Sequence, residues 1–151
     1  MEEDSHIFKR HNKTLLLYHL VFPIKYRRKV LTSESGSTLI SICKEISNRY
    51  EIVFVEIGYE SDHVHFLVQS VPSLCLSQIV RTIKSITGRE LFRLHPEIKQ
   101  FLWGGSLWTS GYYANTVSQY GNKDVIQKYI ENQGKEKVYE KVYEEQLRLF
   151  D

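Results

Sequence analysis

Between Ile52 and Pro72 the chain reads Ile52-Val53-Phe54-Val55-Glu56-Ile57-Gly58-Tyr59-Glu60-Ser61-Asp62-His63-Val64-His65-Phe66-Leu67-Val68-Gln69-Ser70-Val71-Pro72. Ile52 to Ile57 is short and β-branched, which predicts a strand. Gly58 to Asp62 is turn-like. His63 to Val71 predicts a second strand, stopped by Pro72. Two strands this close in sequence form an antiparallel hairpin. Side chains on a strand alternate, so His63 and His65 face one way while Val64, Phe66 and Val68 face the other. The apolar face belongs under helices. Both imidazoles are then expected on the open face, close enough to share one metal ion, although a His-x-His pair is a weak signal by itself.

Upstream, Leu15 to Ile24 is an apolar, β-prone run ended by Pro23 and the basic segment Lys25-Tyr26-Arg27-Arg28-Lys29. Thr32 or Ser33 suits the N-cap of a following helix, whose stripe is Leu39, Ile42, Cys43 and Ile46 and whose end falls near Tyr50. Downstream, Leu76, Val80, Ile83, Thr87, Leu91 and Leu94 recur every three or four residues. They predict a second amphipathic helix, with Arg81, Lys84, Arg89 and Arg93 off its stripe. Phe101 to Trp103 and Leu107 to Val117 read as further β-structure around a Gly104-Gly105 turn. Asn122 caps a third helix, Lys123 to about Gly134. The order β-α-β-β-α-β followed by a helix is the split βαβ, ferredoxin-like pattern of an α+β domain: an antiparallel sheet with helices on one face and a further helix after the last strand.

The chain has 151 residues, 42% of them apolar, enough for one domain with a real core. No run approaches the roughly 20 apolar residues of a membrane helix. The acidic, polar start, Met1 to His6, lacks the pattern of a signal peptide, so a cytoplasmic protein with no membrane partner is expected. The domain is expected over 11–135, between an extension at 1–10 and a charged tail at 136–151. Cys43 and Cys75 lie in no metal-type pattern and read as buried thiols. The net charge of +2 hides an uneven distribution: residues 9–29 hold seven basic side chains and no acidic one. Such a region attracts polyanions.

Tyr129 and Gln133 stand four residues apart on the third helix, hence on one face. Gln133 offers a carbonyl oxygen to a metal, and Tyr129 a phenol that needs its proton removed before it can act as a nucleophile. His63-Val64-His65 resembles the HUH motif of HUH endonucleases. Lys128-Tyr129-Ile130-Glu131-Asn132-Gln133 resembles the catalytic helix of the single-tyrosine HUH transposases of small bacterial and archaeal insertion sequences. Tyr18-His19-Leu20-Val21-Phe22, Lys25-Tyr26-Arg27-Arg28-Lys29-Val30-Leu31, Leu102-Trp103-Gly104 and Leu107-Trp108-Thr109-Ser110-Gly111-Tyr112-Tyr113 agree with that family. The resemblance runs from about residue 11 to 134, and the two motifs in order are far more specific than either alone.

The resemblance implies that Tyr129 is catalytic, cutting single-stranded DNA to leave a 5′-phosphotyrosine and a 3′-OH, then rejoining strands by a second transfer. It implies a metal, Mg²⁺ or Mn²⁺, held by His63, His65 and Gln133; on ligand chemistry alone two imidazoles suggest Zn²⁺ or Mn²⁺. It implies single-stranded DNA with hairpins at the element's ends as partner, and a homodimer whose active sites can be shared between subunits. Lys25, Arg27, Arg28, Arg81 and Lys84 are the candidate DNA-binding residues. Three alternatives stay open: a domesticated hairpin-binding module, a processor of dispersed repeat palindromes, and a small metallohydrolase with Tyr129 structural.

Overall fold

A computed structural model of the chain describes residues 4–118. In chain order the elements are β1 (Ile7–Lys9), β2 (Asn12–Thr14), β3 (Leu16–Pro23), α1 (Ser33–Arg49), β4 (Val53–Glu60), β5 (His63–Ser70), α2 (Leu76–Leu94), α3 (Pro96–Phe101) and β6 (Tyr113–Val117). The four long strands form one antiparallel sheet in the order β4-β5-β3-β6. This is the ferredoxin-like arrangement expected from the order of elements. The third helix and the charged tail lie outside the described residues.

Both main helices cover one face of the sheet. Leu39, Ile42, Cys43 and Ile46 of α1 and Ile79, Val80, Ile83 and Leu91 of α2 pack on Leu20, Phe22, Val64, Phe66 and Val68. Thr32 caps α1: its hydroxyl accepts from the Ser35 N–H at 3.2 Å, and the Ser35 hydroxyl accepts from the Thr32 N–H at 2.8 Å. Across the sheet a smaller patch, Leu17, Leu67 and Val117, is buried on the opposite face.

Four sequence expectations change. Gly58, Tyr59 and Glu60 extend β4, pairing with His65, Val64 and His63, so the turn shrinks to Ser61-Asp62. A two-residue connection matches the twist of the paired strands, and a longer one would forfeit ladder hydrogen bonds. Phe101 closes a short helix rather than opening a strand, because Pro96 sits at its first position with φ already set for a helix. Of the β-structure expected from Leu107 onward, only β6 and a single bridge, Trp108 to Ile24, form. Cys75 is exposed, unlike the buried Cys43, because it occupies the N-cap of α2 at the helix surface. The β1–β2 hairpin was not legible as strands; it is tied to the sheet by Gln69, whose side-chain amide donates to the Ser5 carbonyl at 2.7 Å.

Candidate active site

β5 lies between β4 and β3, so its side chains can turn only up or down from the sheet. His63 and His65 share the face away from α1 and α2, as the alternation requires, with ring centroids 5.1 Å apart. The face is not open at this point. His63 is 1% and His65 2% exposed, a correction to the expectation of solvent-facing imidazoles. An interior strand with neighbours on both sides already removes much of their surface. Gly58, which has no side chain, stands across from His65 on β4, and Val21 stands across from it on β3.

A third histidine joins them. His19 of β3 lies nearly parallel to His65, with an interplanar angle of 11° and a centroid distance of 5.2 Å. The hydrogen-bond chain through it sets the tautomers. The Asn115 amide is oriented by its NH₂, which donates to the Thr116 carbonyl at 3.0 Å. Asn115 Oδ1 therefore accepts from His19 Nδ1–H at 3.2 Å. A neutral imidazole has one N–H, so His19 Nε2 is an acceptor, and His65 Nδ1–H donates to it at 2.9 Å. The basic lone pair of His65 is thereby placed on Nε2.

His63 reaches the same state by another route. Its Nδ1–H donates to Asp62 Oδ1 at 2.9 Å, which puts its lone pair on Nε2 as well. Burial holds all three rings neutral: it lowers His19 to about 4 and His65 well below the ordinary imidazole range. It also lowers His63, where the carboxylate of Asp62 opposes the shift. Two neutral imidazoles, each with a polar partner on Nδ1 and basicity on Nε2, are the form in which histidine binds a divalent metal. This donor set fits a cation. Among the described residues no group of three or more His, Cys, Asp or Glu is placed to hold one. Tyr129 and Gln133 lie outside the described residues.

The sequence reading missed His19, Asp62 and Asn115. Asp62 had a signal, since it precedes His63 directly. His19 had a weaker one, as the one histidine inside the apolar run from Leu15 to Ile24.

The candidate DNA-binding residues divide. Lys25, Arg27 and Arg28 lie in the turn after β3, at the edge of the sheet where Pro23 pairs with His63. Arg27 sits 3.9 Å from Asp62, the partner of His63. Arg81 is exposed on α2 and, with Lys25 and Lys84, lines a groove of about 700 Å³ floored by Trp108 and Tyr112. Lys84 differs from the others. Its ammonium donates to the carbonyls of Thr109, Ser110 and Gly111 at 2.8, 3.3 and 2.9 Å, which uses all three of its N–H bonds. It acts as a strut between α2 and the segment before β6, and phosphate contact would cost those bonds.

An antiparallel ferredoxin-like sheet hosts many functions; a buried histidine pair on one face and a cluster of cations at its end suit a domain that acts on a polyanion, and the relatives narrow the class. The family "Transposase IS200 like" matches residues 12–133, and the chain belongs to that family of transposases. It is 38% identical over 120 residues to the ISDra2 transposase TnpA of Deinococcus radiodurans, covering 78% of this chain and 84% of that one. It is 28% identical over 123 residues to the transposase for insertion sequence element IS200 of Salmonella typhimurium, covering 82% and 80%. Among solved structures, a putative transposase from Deinococcus radiodurans superposes with a TM-score of 0.69 at 34% identity, covering 84% of this chain and 97% of that one. A REP-associated tyrosine transposase bound to a REP hairpin shares the fold, with a TM-score of 0.58 at 12% identity over 87% and 72% of the two chains. Among the described residues no helix is long and apolar enough to cross a membrane.

Proposed function

We propose that this transposase cuts and rejoins single-stranded DNA at the ends of an insertion sequence, using Tyr129 as its one nucleophile beside a metal bound by His63, His65 and Gln133. The observation that carries the reading is the pair of neutral, buried imidazoles with both lone pairs on Nε2. The phenol oxygen of Tyr129 attacks phosphorus and gives up its proton. The P–O3′ bond breaks, and the 3′ oxygen leaves as a hydroxyl. The 5′ phosphate remains on the tyrosine, and attack by another 3′-OH reverses the step. No external energy source is needed, because one phosphodiester is exchanged for another. A bound Mg²⁺ or Mn²⁺ supplies charge neutralisation at the scissile phosphate. His63 and His65 bind it as neutral donors. Asp62 and His19 hold those donors in their tautomers, and Lys25, Arg27, Arg28 and Arg81 attract the DNA backbone.

Hairpins at the element's ends are the expected DNA, in keeping with the hairpin bound by the REP-associated relative. The working form is expected to be a homodimer with active sites shared between subunits, acting on cytoplasmic DNA. The test is a denaturing gel of protein mixed with labelled single-stranded DNA from the gene's flanks and Mg²⁺. Wild type should give a covalent protein–DNA band, Tyr129→Phe none, and Tyr112→Phe or Tyr113→Phe the wild-type band. A band retained by Tyr129→Phe, or formed only on duplex DNA, would overturn the proposal.

A further inference from the structure

Among the described residues, three non-glycine positions have a left-handed backbone: Tyr26 (φ 58°), Arg27 (φ 52°) and Trp103 (φ 54°). Side chains disfavour that region, and a large aromatic ring gains nothing local from it. All three lie in one patch. The turn after β3 and the segment after α3 are joined where Lys25 N–H donates to the Leu107 carbonyl at 2.8 Å and where Ile24 bridges Trp108. Tyr26 and Trp103 meet edge to face at 5.6 Å. The Arg28 guanidinium lies 4.1 Å from the centroid of Phe101 and 4.6 Å from that of Trp103. Yet Tyr26 is 64% and Trp103 70% exposed. The backbone is held in an unfavourable conformation and the rings it carries stay in water.

Position and charge say what these rings face. The Lys25 ammonium lies 5.6 Å from the Tyr26 ring, and Arg27, Arg28 and Lys29 follow in a segment with no acidic residue. Arg27 reaches Asp62, which holds His63, so the patch adjoins the histidine end of the sheet. Exposed rings among cations are what single-stranded DNA requires: ring faces for unpaired bases and charges for the phosphates between them. Lysine is depleted at protein interfaces, and this segment holds two, Lys25 and Lys29. Resting on the single-strand reading above, the geometry points to Tyr26 and Trp103 as a stacking platform for an unpaired base of the bound strand, with Arg28 bracing the Trp103 ring and Lys25, Arg27 and Lys29 along the neighbouring phosphates.

The chain has two tryptophans, and Trp108 is buried, so Trp103 is a built-in reporter. In a Tyr129→Phe background without metal, oligo(dT) should quench the fluorescence of Trp103. An oligomer of the same length with abasic sites, which keeps the phosphates, should not. Trp103→Phe should remove the quenching. Trp103→Ala should weaken oligo(dT) binding about 5- to 150-fold, the span of base–aromatic stacking, and leave the abasic oligomer unaffected. Trp103→Gly should lose the same base-dependent affinity without lowering the melting temperature, because glycine accepts the left-handed backbone. A merely structural tryptophan would instead melt lower on that change. If wild type binds oligo(dT) and Trp103→Ala binds both oligomers as wild type does, the platform is wrong and the single-strand reading stands. If wild type binds neither, the platform falls, and the covalent-adduct gel on flank DNA decides the single-strand reading by itself. Conversion to a different oligomeric state by Trp103→Ala would make the patch a protein interface and likewise overturn the platform.

Discussion

On β5, Val64, Phe66 and Val68 turn toward α1 and α2, while His63, His65 and Leu67 turn the other way. The two faces are equally buried here, and burial does opposite things to them. On the helix side it removes apolar surface from water and stabilises the fold. On the far side it keeps three imidazoles neutral and lets each hydrogen bond choose a tautomer. A strand with a period of two lets one segment serve both ends, because a change on one face leaves the other face's contacts in place. Stability and chemistry should therefore separate residue by residue.

The largest expected separation is between adjacent residues. His65→Ala should abolish the covalent adduct, because a bound cation contributes several kcal/mol to the transition state. Phe66 is fully buried and packs edge to face on Phe22 at 5.1 Å and Phe54 at 5.6 Å. Phe66→Ala should lower the unfolding free energy by about 3–5 kcal/mol, with the adduct still formed by the fraction that remains folded. Urea unfolding and the denaturing gel measure the two. The division by face breaks if Phe66→Ala loses the adduct while folded, or if His65→Ala unfolds more readily than Phe66→Ala.

A smaller effect sharpens the polar side. His19→Phe keeps a ring against Tyr113, now 6.0 Å away at 68°, but removes the acceptor for His65 Nδ1–H. His65 is then free to move its proton to Nε2, the atom proposed to meet the metal. Mn²⁺ affinity by calorimetry should fall about 10- to 100-fold, the usual range for such supporting partners. Oligonucleotide binding in chelator should not change. Asn115→Ala should follow in the same direction with a smaller loss, since it acts through His19. An unchanged Mn²⁺ affinity in His19→Phe would reduce the histidine chain to packing.

Much of this was legible in sequence because it depends on short periods. The stripe of α1, most of that of α2, the helix start at Thr32 or Ser33 and the alternation around Val64 all lie within a few residues of one another and were legible; at the end of α2 Leu94 is exposed, while Ile79, off the expected stripe, is buried. The His63 and His65 pair followed from the same alternation. What escaped is set by contacts across the sheet. His19 is 46 residues from His65 and 96 from Asn115, and only the β3 register aligns them. The end of β4 escaped for a related reason: Gly58 is turn-like alone, but the ladder to β5 continues through it. Burial of the histidines was missed because alternation gives direction, not depth.

The smallest effect tests whether the two faces are independent at a distance. Thr32 belongs to the helix side: it caps α1, whose stripe ends in the core, and its side chain is paired with Ser35 of the same helix. Thr32→Ala leaves one N–H at the helix start without its side-chain acceptor, which costs about 1 kcal/mol. Thr32→Ser retains the hydroxyl and should restore most of it. The loss is large enough to measure in urea and too small to unfold the chain. If the sheet insulates its faces, Mn²⁺ affinity and adduct yield should match wild type at every temperature where the variant is folded. A fall in Mn²⁺ affinity that tracks the loss of stability, and recovers with Thr32→Ser, would mean that α1 helps hold β4 and β5 in the register that brings Gly58 opposite His65. The histidine face would then depend on the core beneath it, and the separation argued from Phe66 and His65 would hold only for side chains and not for the strands that carry them.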